Sequence, residues 1–530
     1  MRSLERIYRR KIPQDRVITP ELARYLGEVS TDIGRQVGIL VPRSGTISHV
    51  IVGDTKGILI PDLADYPIGR KALRGLRLIH THLADESLNQ DDLTDLSLLR
   101  LDIIAAIGIK DRLPDRMFVA HLMPQGSEKP VEVFPVKGFH QFDMDFLSFV
   151  RGLEDEMERR QTFDQRDGRE RAILVSVSTR PKYEQEDTME ELRELALSSG
   201  VLVLNEIIQR PKEVNPKYLM GEGKLKELVI GAMDKGATLL IFDQDLSPSQ
   251  TKAIGELTEL KVIDRCQLIL DIFAQRAHSR DGKVQVELAQ LKYRLPRLTG
   301  KGTAMSRLMG GIGGRGPGEM KLEIDRRRVR DRIHLLEKEL RNLSEARRQR
   351  KQRRVETGIP IISIIGYTNA GKSTLLNALT RSETFVEDKM FATLDTASRR
   401  LRFPREREAI ITDTVGFIRN LPRDLMAAFR STLEELEDAN LLVHLVDASS
   451  PRFEQHITSV DKILEELNLR DKPQLLVFNK IDKVTKEEAQ NLRMRFHAVT
   501  VSALDPATFI SLLGAMEGYI WNGKMTEATV

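Results

Sequence analysis

The strongest constraint on how this chain can fold is the run IISIIGYTNAGKST at residues 361–374. An almost wholly apolar stretch, 361–365, ends at Gly366, and Gly371, Lys372 and Ser373 complete the spacing G-x-x-x-x-G-K-[ST], a strand entering a helix through a phosphate-wrapping loop. A polyphosphate must be surrounded by main-chain N–H groups, and only glycine lets the backbone approach so closely. Tyr367, Thr368, Asn369 and Ala370 inside the loop, with Thr374 after it, complete the expected cradle. Lys372 is expected to reach the β and γ phosphates, and the Ser373 hydroxyl to ligate Mg²⁺. A plain glycine turn is the alternative, and three further elements in order speak against it.

The first is Asp413-Thr414-Val415-Gly416, directly after the apolar residues 409–411. An aspartate at a strand end can hold Mg²⁺ through water, and the Gly416 amide can sense a γ-phosphate. The second is Asn479-Lys480-Ile481-Asp482, ending the strand predicted at 474–478. Asp482 can accept two hydrogen bonds from guanine N1 and N2, a pattern adenine cannot donate. A site built to pair such groups rejects an analogue lacking them by ~10⁴-fold or more, so the expected nucleotide is GTP. The third is Val501-Ser502-Ala503, whose backbone can meet the guanine carbonyl.

Between the phosphate loop and Asp413 lies Phe391-Ala392-Thr393-Leu394-Asp395. Thr393 is the candidate second protein ligand to Mg²⁺, closing over the γ-phosphate in the triphosphate state. Residues 383–395 and 416–430 are the two expected switches, and Lys372, Thr393 and Gly416 the expected catalytic groups. Phe417 is a departure: Ras-like GTPases place a water-orienting glutamine after this glycine, and phenylalanine cannot do that work. Slow intrinsic hydrolysis is expected unless another group positions water. An asparagine at position 369 resembles potassium-assisted GTPases, in which K⁺ substitutes for a stabilising arginine; the alternative is a residue that merely fits the turn.

GYTNAGKS, FATLD, DTVGF and NKID, preceded by the glycine-rich LMGGIGGRGPGE and a basic helix, resemble the HflX family of ribosome-associated GTPases over roughly residue 169 to the C-terminus. The resemblance implies a cytoplasmic GTPase that binds GTP and GDP and docks on the large ribosomal subunit and its RNA, splitting or rescuing stalled ribosomes under stress in some members. The alternative is a regulatory GTPase switch acting on protein effectors. A monomer is expected.

The 530 residues, 41% hydrophobic, predict three or four domains. The net charge of +4 hides a bunching of basic residues ahead of the GTPase motifs. The single cysteine, Cys266, excludes intramolecular disulfides and reads as a core residue in a reducing compartment. The basic N-terminus lacks an apolar export region and no run reaches about eighteen apolar residues, so neither export nor a membrane span is expected.

Residues 1–168 read as an α+β domain with helices at 22–33 and 92–101 and strands at 37–41, 47–52, 76–80, 103–107 and 117–122, followed by a charged linker at 154–170 that is either helical or irregular. His80-Thr81-His82, with Asp91 and Asp92 after it, resembles the JAMM/JAB metalloprotease arrangement. The spacing is one residue short, Asn89 or Gln90 stands at the serine position, and Gln36 and Val37 stand where a glutamate base is expected. An active protease, a vestigial fold holding a metal, and plain structural histidines remain open.

Residues 169–265 alternate strands (172–177, 201–208, 238–242, 261–263) with helices (188–198, 224–233, 249–257), the pattern of a small parallel sheet. The glycine turn at 216–224 is either structural or a second nucleotide site. In 266–356, apolar residues at Val284, Leu288, Leu291, Leu295 and Leu298, and again at Leu322, Val329, Ile333, Leu336, Leu340 and Leu343, predict an antiparallel helical hairpin. Its tip, 299–319, is glycine-rich and carries Lys301, Arg307 and Arg315; the second helix is basic at Arg326, Arg327, Arg328, Arg330 and Arg332 and again at 347–354. This suits RNA contact, with a flexible linker and a solvated charged face as the alternatives. The expected fold is α/β throughout the last two-thirds: this module and its hairpin precede a P-loop GTPase domain at 357–530, with a helix at 427–436 after the second switch and a short tail holding Trp521.

Overall fold

The computed structural model describes residues 2–61, 63, 65–66, 72–124, 127, 129–164, 169–258, 260–298, 317–355, 358–380, 390, 397–403, 407–414, 416–419 and 434–522. Both expected switch segments apart from Met390 and residues 416–419, the hairpin tip at 299–316 and the helix expected at 427–433 lie outside them.

The first domain is built on a seven-stranded sheet. Strands His49–Val52, Val37–Pro42, Leu76–His82, Ile103–Lys110, Leu113–Leu122 and Val131–Val133 lie side by side in that order, and Lys137–Gly138 also pairs with Leu113–Leu122. All neighbours are antiparallel except Leu76–His82 with Ile103–Lys110, which helix Gln90–Leu99 connects. Strand alternation explains the two apolar layers: Ile39, Val41 and Ile79 face helix Pro20–Ile33, while Leu40, Leu78 and Ile104 face Leu96 on the opposite side. Helix Pro20–Ile33 starts where Thr19 caps it and Pro20 fills its first position.

The charged segment from 154, whose helical character the sequence left open, is helical as far as Asp164, where it forms the later part of helix Phe146–Asp164. Phe146, Val150, Leu153 and Met157, spaced four, three and four residues apart, bury one stripe against the first sheet. Arg43 fixes the helix further, contacting Glu154 at 2.6 Å and Asp102 at 2.6 Å.

The second module has the expected parallel sheet, in the order Lys261–Asp264, Leu239–Phe242, Arg171–Val177, Leu202–Gln209. Its helices are Lys182–Ser198, Glu222–Asp234 and Pro248–Leu257. The glycine turn serves as the start of the second of these, with Gly221 at its N-cap. An additional helix, Arg265–Arg276, begins where the Asp264 carboxylate accepts the Gln267 N–H, and buries Cys266.

Helices Arg280–Arg294 and Pro317–Val355 run antiparallel, packing Val284, Leu288 and Leu291 against Ile333, Leu336, Leu340 and Leu343. The seam stops short of the expected Leu295 and Leu298, because Pro296 lacks an N–H and the chain turns through a 3₁₀ turn, Leu295–Arg297. At 39 residues the second helix is about 58 Å long. Arg332 pairs with Glu287 at 2.8 Å and so turns toward the partner helix, while Arg326 donates to the Leu298 carbonyl at 2.7 Å, just past the 3₁₀ turn that ends it. Arg327, Arg328 and Arg330 are exposed.

The GTPase domain is a six-stranded sheet ordered Ala397–Arg402, Glu408–Asp413, Ile361–Gly366, Leu441–Asp447, Gln474–Asn479, Val499–Thr500. Only the first of these is antiparallel to its neighbour. Helix Phe509–Glu517 and Trp521, edge-on to Phe403, cover one face. Among the described residues no helix is long and apolar enough to cross a membrane.

Candidate functional site

The central strand Ile361–Gly366 is flanked in parallel by Glu408–Asp413 and Leu441–Asp447, so its carboxyl end opens where Asp413 and Asp447 also emerge. Ligands of such sheets bind at this edge. Gly366 has φ +149°, and a Cβ there would fall 2.2 Å from the Leu445 carbonyl oxygen. Gly371 has φ +90°, and its Cβ would lie 2.4 Å from Asn479 Nδ2. Both glycines are therefore required by close approach as well as by conformation.

Lys372 opens helix Lys372–Thr380, and its ammonium folds back on the loop, donating to the Tyr367 carbonyl at 2.8 Å and the Gly366 carbonyl at 3.2 Å. Burial pushes Lys372 down to about 8, with Asp413 acting in the opposite direction. His444, next to Ile365 on the adjoining strand, is pushed down to about 4 by burial and then by Lys372, so it is neutral near pH 7. Ser373 Oγ donates to Asp413 Oδ2 at 2.6 Å. A hydroxyl and a carboxylate oxygen so placed are the hard donors that Mg²⁺ takes, so the residues fit that ion. Thr414 turns inward, its hydroxyl donating to the Ile364 carbonyl at 2.7 Å.

Gly416 lies over the loop: a Cβ there would be 2.8 Å from Thr368 Cγ2 and 3.1 Å from Lys372 Nζ. Phe417 continues by pairing its backbone with Gly366 and Thr368, and its side chain, 1% exposed, joins the core. It points away from the water-positioning work its location would suggest.

At the end expected to meet the base, Asn479 ties two loops together, donating to the Ala370 carbonyl at 2.8 Å while its Oδ1 accepts the Ala503 N–H at 2.9 Å. Lys480, at φ +62°, donates to the Asn369 carbonyl at 2.8 Å and pairs with Asp447 at 2.8 Å. Ser502 Oγ donates to Asp482 Oδ1 at 2.6 Å, aligning that carboxylate beside the loop of Val501 and Ala503; Ile481 opens the short helical turn between. The structure thus brings together Gly366 to Thr374, Asp413, Thr414, Gly416, Asn479 to Asp482 and Val501 to Ala503. Phe391, Ala392, Thr393, Leu394, Asp395 and Val415 lie outside the described residues.

Sequence reasoning missed a set of residues behind the phosphate loop. Tyr367 donates its hydroxyl to Glu191 of the parallel module and accepts the Arg419 N–H at 2.9 Å. Burial and Glu191 raise the phenol well above its ordinary range, so it remains a donor. Arg265 pairs with Glu191 at 3.1 Å and Asp243 at 3.3 Å and donates to the Arg419 carbonyl at 3.2 Å. His456 stacks on the Tyr367 ring at 4.0 Å. An aromatic residue inside a loop otherwise made of small residues is the one sequence signal that points here.

Comparison with known proteins finds GTPase relatives. Three family models match successive stretches: GTP-binding GTPase N-terminal over residues 186–274, GTP-binding GTPase Middle Region over 276–354, and 50S ribosome-binding GTPase over 361–480. The GTPase HflX of Caldanaerobacter subterraneus subsp. tengcongensis is 48% identical over 359 residues, 68% of this chain and 82% of the relative. The GTPase HflX of Escherichia coli K12 is 45% identical over 320 residues, 60% and 75% of the two chains. Among solved structures, a GTP-binding protein from the archaeon Sulfolobus solfataricus in complex with GDP is similar at 27% identity and a TM-score of 0.36, over 63% of this chain and 93% of that one.

Proposed function

Because the chain belongs to the HflX family of GTPases and is a GTP hydrolase, we propose that its GTP-bound form docks on the large ribosomal subunit in the cytoplasm, with the helical hairpin as its RNA-contacting arm. The observation that carries this reading is the stalk itself: two helices held in register by an apolar seam, with Arg327, Arg328 and Arg330 exposed near the end that leads to the glycine-rich tip. A rigid arm ending in a basic, glycine-rich segment suits a folded RNA, where arginine pairs with phosphate and glycine permits close backbone approach. The description of the family matched over 361–480, a 50S ribosome-binding GTPase, supports the same partner.

In the proposed reaction water attacks the γ-phosphate in line with the departing GDP. Lys372 exchanges its loop carbonyls for phosphate oxygens, and the Gly416 N–H faces the γ-phosphate. Ser373, with Thr393 of the first switch, would hold Mg²⁺, which supplies charge neutralisation when bound. Asp413 lies within hydrogen-bond reach of Ser373 to orient that shell. Asp482 accepts from the guanine edge, and Asn479 keeps the base loop and the phosphate loop at a fixed separation. Since Phe417 is buried in the core, water must be positioned by ribosomal RNA, by an arginine or by K⁺ near Asn369. Equal hydrolysis rates in sodium and potassium salts would remove the last of these.

The deciding experiment measures GTP hydrolysis with and without purified large ribosomal subunits across a salt series, for the intact chain and for Arg307→Ala combined with Arg315→Ala. Strong stimulation that weakens with salt and is lost in the variant is expected. An unchanged rate with no subunit binding in the GTP state would overturn the ribosome reading in favour of a protein effector.

A further inference from the structure

The seven-stranded domain carries a second constellation that the nucleotide site does not use. Strand Leu76–His82 places His80 and His82 two residues apart on one face, and the first turn of helix Gln90–Leu99 brings Asp92, not Asp91, against both rings. His80 Nε2 lies 2.9 Å from His82 Nε2 and 3.3 Å from Asp92 Oδ1, and His82 Nε2 lies 3.6 Å from Asp92 Oδ2. Ligand atoms about 2.0–2.1 Å from a tetrahedral zinc sit about 3.3–3.4 Å from one another, so the triangle has the size of one face of that tetrahedron. All three residues are buried.

The surroundings orient the donors inward. His82 Nδ1 lies 2.8 Å from the Glu86 carbonyl, which can only accept; the Nδ1 therefore carries the proton and Nε2 turns its lone pair to the cluster. Asp92 Oδ2 accepts the Asn89 N–H at 2.8 Å, and Asn89 Oδ1 accepts the Asp92 N–H at 2.9 Å, which fixes the carboxylate. A backbone carbonyl on the far nitrogen of a histidine and a hydrogen-bonded carboxylate are the usual supports of metal ligands.

A fourth group faces the same place. Gly38 is the direct partner of His80 across the antiparallel pair, and a Cβ on Gly38 would lie 3.3 Å from His80 Cβ. Strand alternation then puts Gln36, two residues earlier and level with His82, on that same face. Gln36 is 4% exposed, and its Oε1 has no hydrogen-bond partner.

We propose that His80, His82 and Asp92 bind one zinc ion, with a water in the fourth position that donates to Gln36 Oε1. Two imidazoles and one carboxylate suit zinc, whereas Mg²⁺ and Ca²⁺ favour oxygen donors throughout. The site binds metal and does not hydrolyse peptides, because the Gln36 amide cannot take a proton from the bound water as a carboxylate base would.

The test uses the full chain, equilibrated with Zn²⁺, desalted and assayed for metal, and in parallel loaded with Co²⁺ for visible spectroscopy. One equivalent of zinc per chain and the bands of four-coordinate cobalt are expected, both lost in His82→Ala and weakened in Asp92→Asn. Circular dichroism and thermal unfolding of the His82→Ala chain are expected to match the natural chain, which shows that the variant folds, and its GTP hydrolysis is expected to be unchanged. Zinc retention no greater in the natural chain than in the variant overturns the proposal, leaving the cluster as a hydrogen-bonded polar core. Should the variants fail to fold, the natural chain decides alone, since a six-coordinate aqueous cobalt spectrum also overturns it.

Discussion

The Tyr367 hydroxyl, carried on the phosphate loop, donates to the Glu191 carboxylate on helix Lys182–Ser198 of the preceding module. The loop that wraps phosphate is thereby fastened to a second domain. Arg265 braces the same carboxylate and also the carbonyl of Arg419, near the start of the expected second switch. Burial works against the Arg265 charge, but Glu191 and Asp243 more than offset it and raise the guanidinium above its ordinary range. Any movement of Gly416 and Arg419 on GTP binding must therefore strain or release contacts with the parallel module, a direct route from nucleotide state to the rest of the chain.

Tyr367→Phe tests that link. A hydrogen bond to a buried charged group contributes about 1.5–3 kcal/mol, and here the partner is only 8% exposed. In a double-mutant cycle with Glu191→Gln, read by thermal unfolding of the nucleotide-free chain, the two residues should couple by roughly 0.5–3 kcal/mol. Additive effects would show that the hydroxyl and carboxylate do not act together.

Gly416→Ala separates binding from chemistry. The new Cβ would press on Thr368 and on Lys372 Nζ at 2.8 and 3.1 Å, displacing the amide proposed to meet the γ-phosphate while leaving the loop of Asn479 to Asp482 intact. GDP affinity should stay within a few-fold, and hydrolysis should fall by about 10²-fold, the loss typical of one misplaced transition-state donor. Equal losses in fluorescent-GDP binding and in turnover would mean that the glycine serves only the shape of the loop.

Nucleotide affinity should depend on pH through Lys372. Burial holds this ammonium down to about 8, so the folded, nucleotide-free chain binds fewer protons than the unfolded one from about pH 8 up to the ordinary lysine range. The lysine's cost to folding is thus relieved as pH rises through that window. Phosphate oxygens favour the charged form, so binding above pH 8 must take up a proton. GDP affinity is expected to weaken about tenfold between pH 7 and 9, and Lys372→Arg, always charged, should flatten the profile. A flat profile in the natural chain would contradict this account of the loop.

Much of the GTPase site was legible because its signals are local. The spacing from Gly366 to Ser373, the strand-end Asp413 and the Asn479 to Asp482 run each specify their own turn. Pairings between distant segments were not: nothing near Lys480 indicates Asp447, and nothing near Tyr367 indicates Glu191. The full extent of helix Phe146–Asp164 escaped for another reason. Its apolar stripe lies at Phe146, Val150, Leu153 and Met157, so a window opened at 154 sees mainly the charged outer face. Asp92 could be distinguished from Asp91 only by the helical turn that points it at the histidines. In the hairpin, the heptad seam was readable, but the turning of Arg332 toward the partner helix and of Arg326 toward the turn after it depends on Glu287 and Leu298 across the pair.

The loop proposed to recognise guanine yields the last prediction. Ser502 holds Asp482 Oδ1 at 2.6 Å, which sets the carboxylate plane before any nucleotide arrives. Asp482→Asn replaces an acceptor with an amide that can donate, so the guanine N1–H and N2–H₂ lose their matched partner while a purine bearing a carbonyl at C2, xanthine, gains one. GTP affinity should fall by at least about 10²-fold, within the penalty for unpairing a site built for hydrogen bonds, and XTP should be hydrolysed in its place. Ser502→Ala should weaken GTP by less, since the carboxylate remains and loses only its alignment. Competition of GTP, XTP and ATP for the two variants checks this, and an Asp482→Asn chain that still prefers GTP would place guanine recognition elsewhere than Asp482.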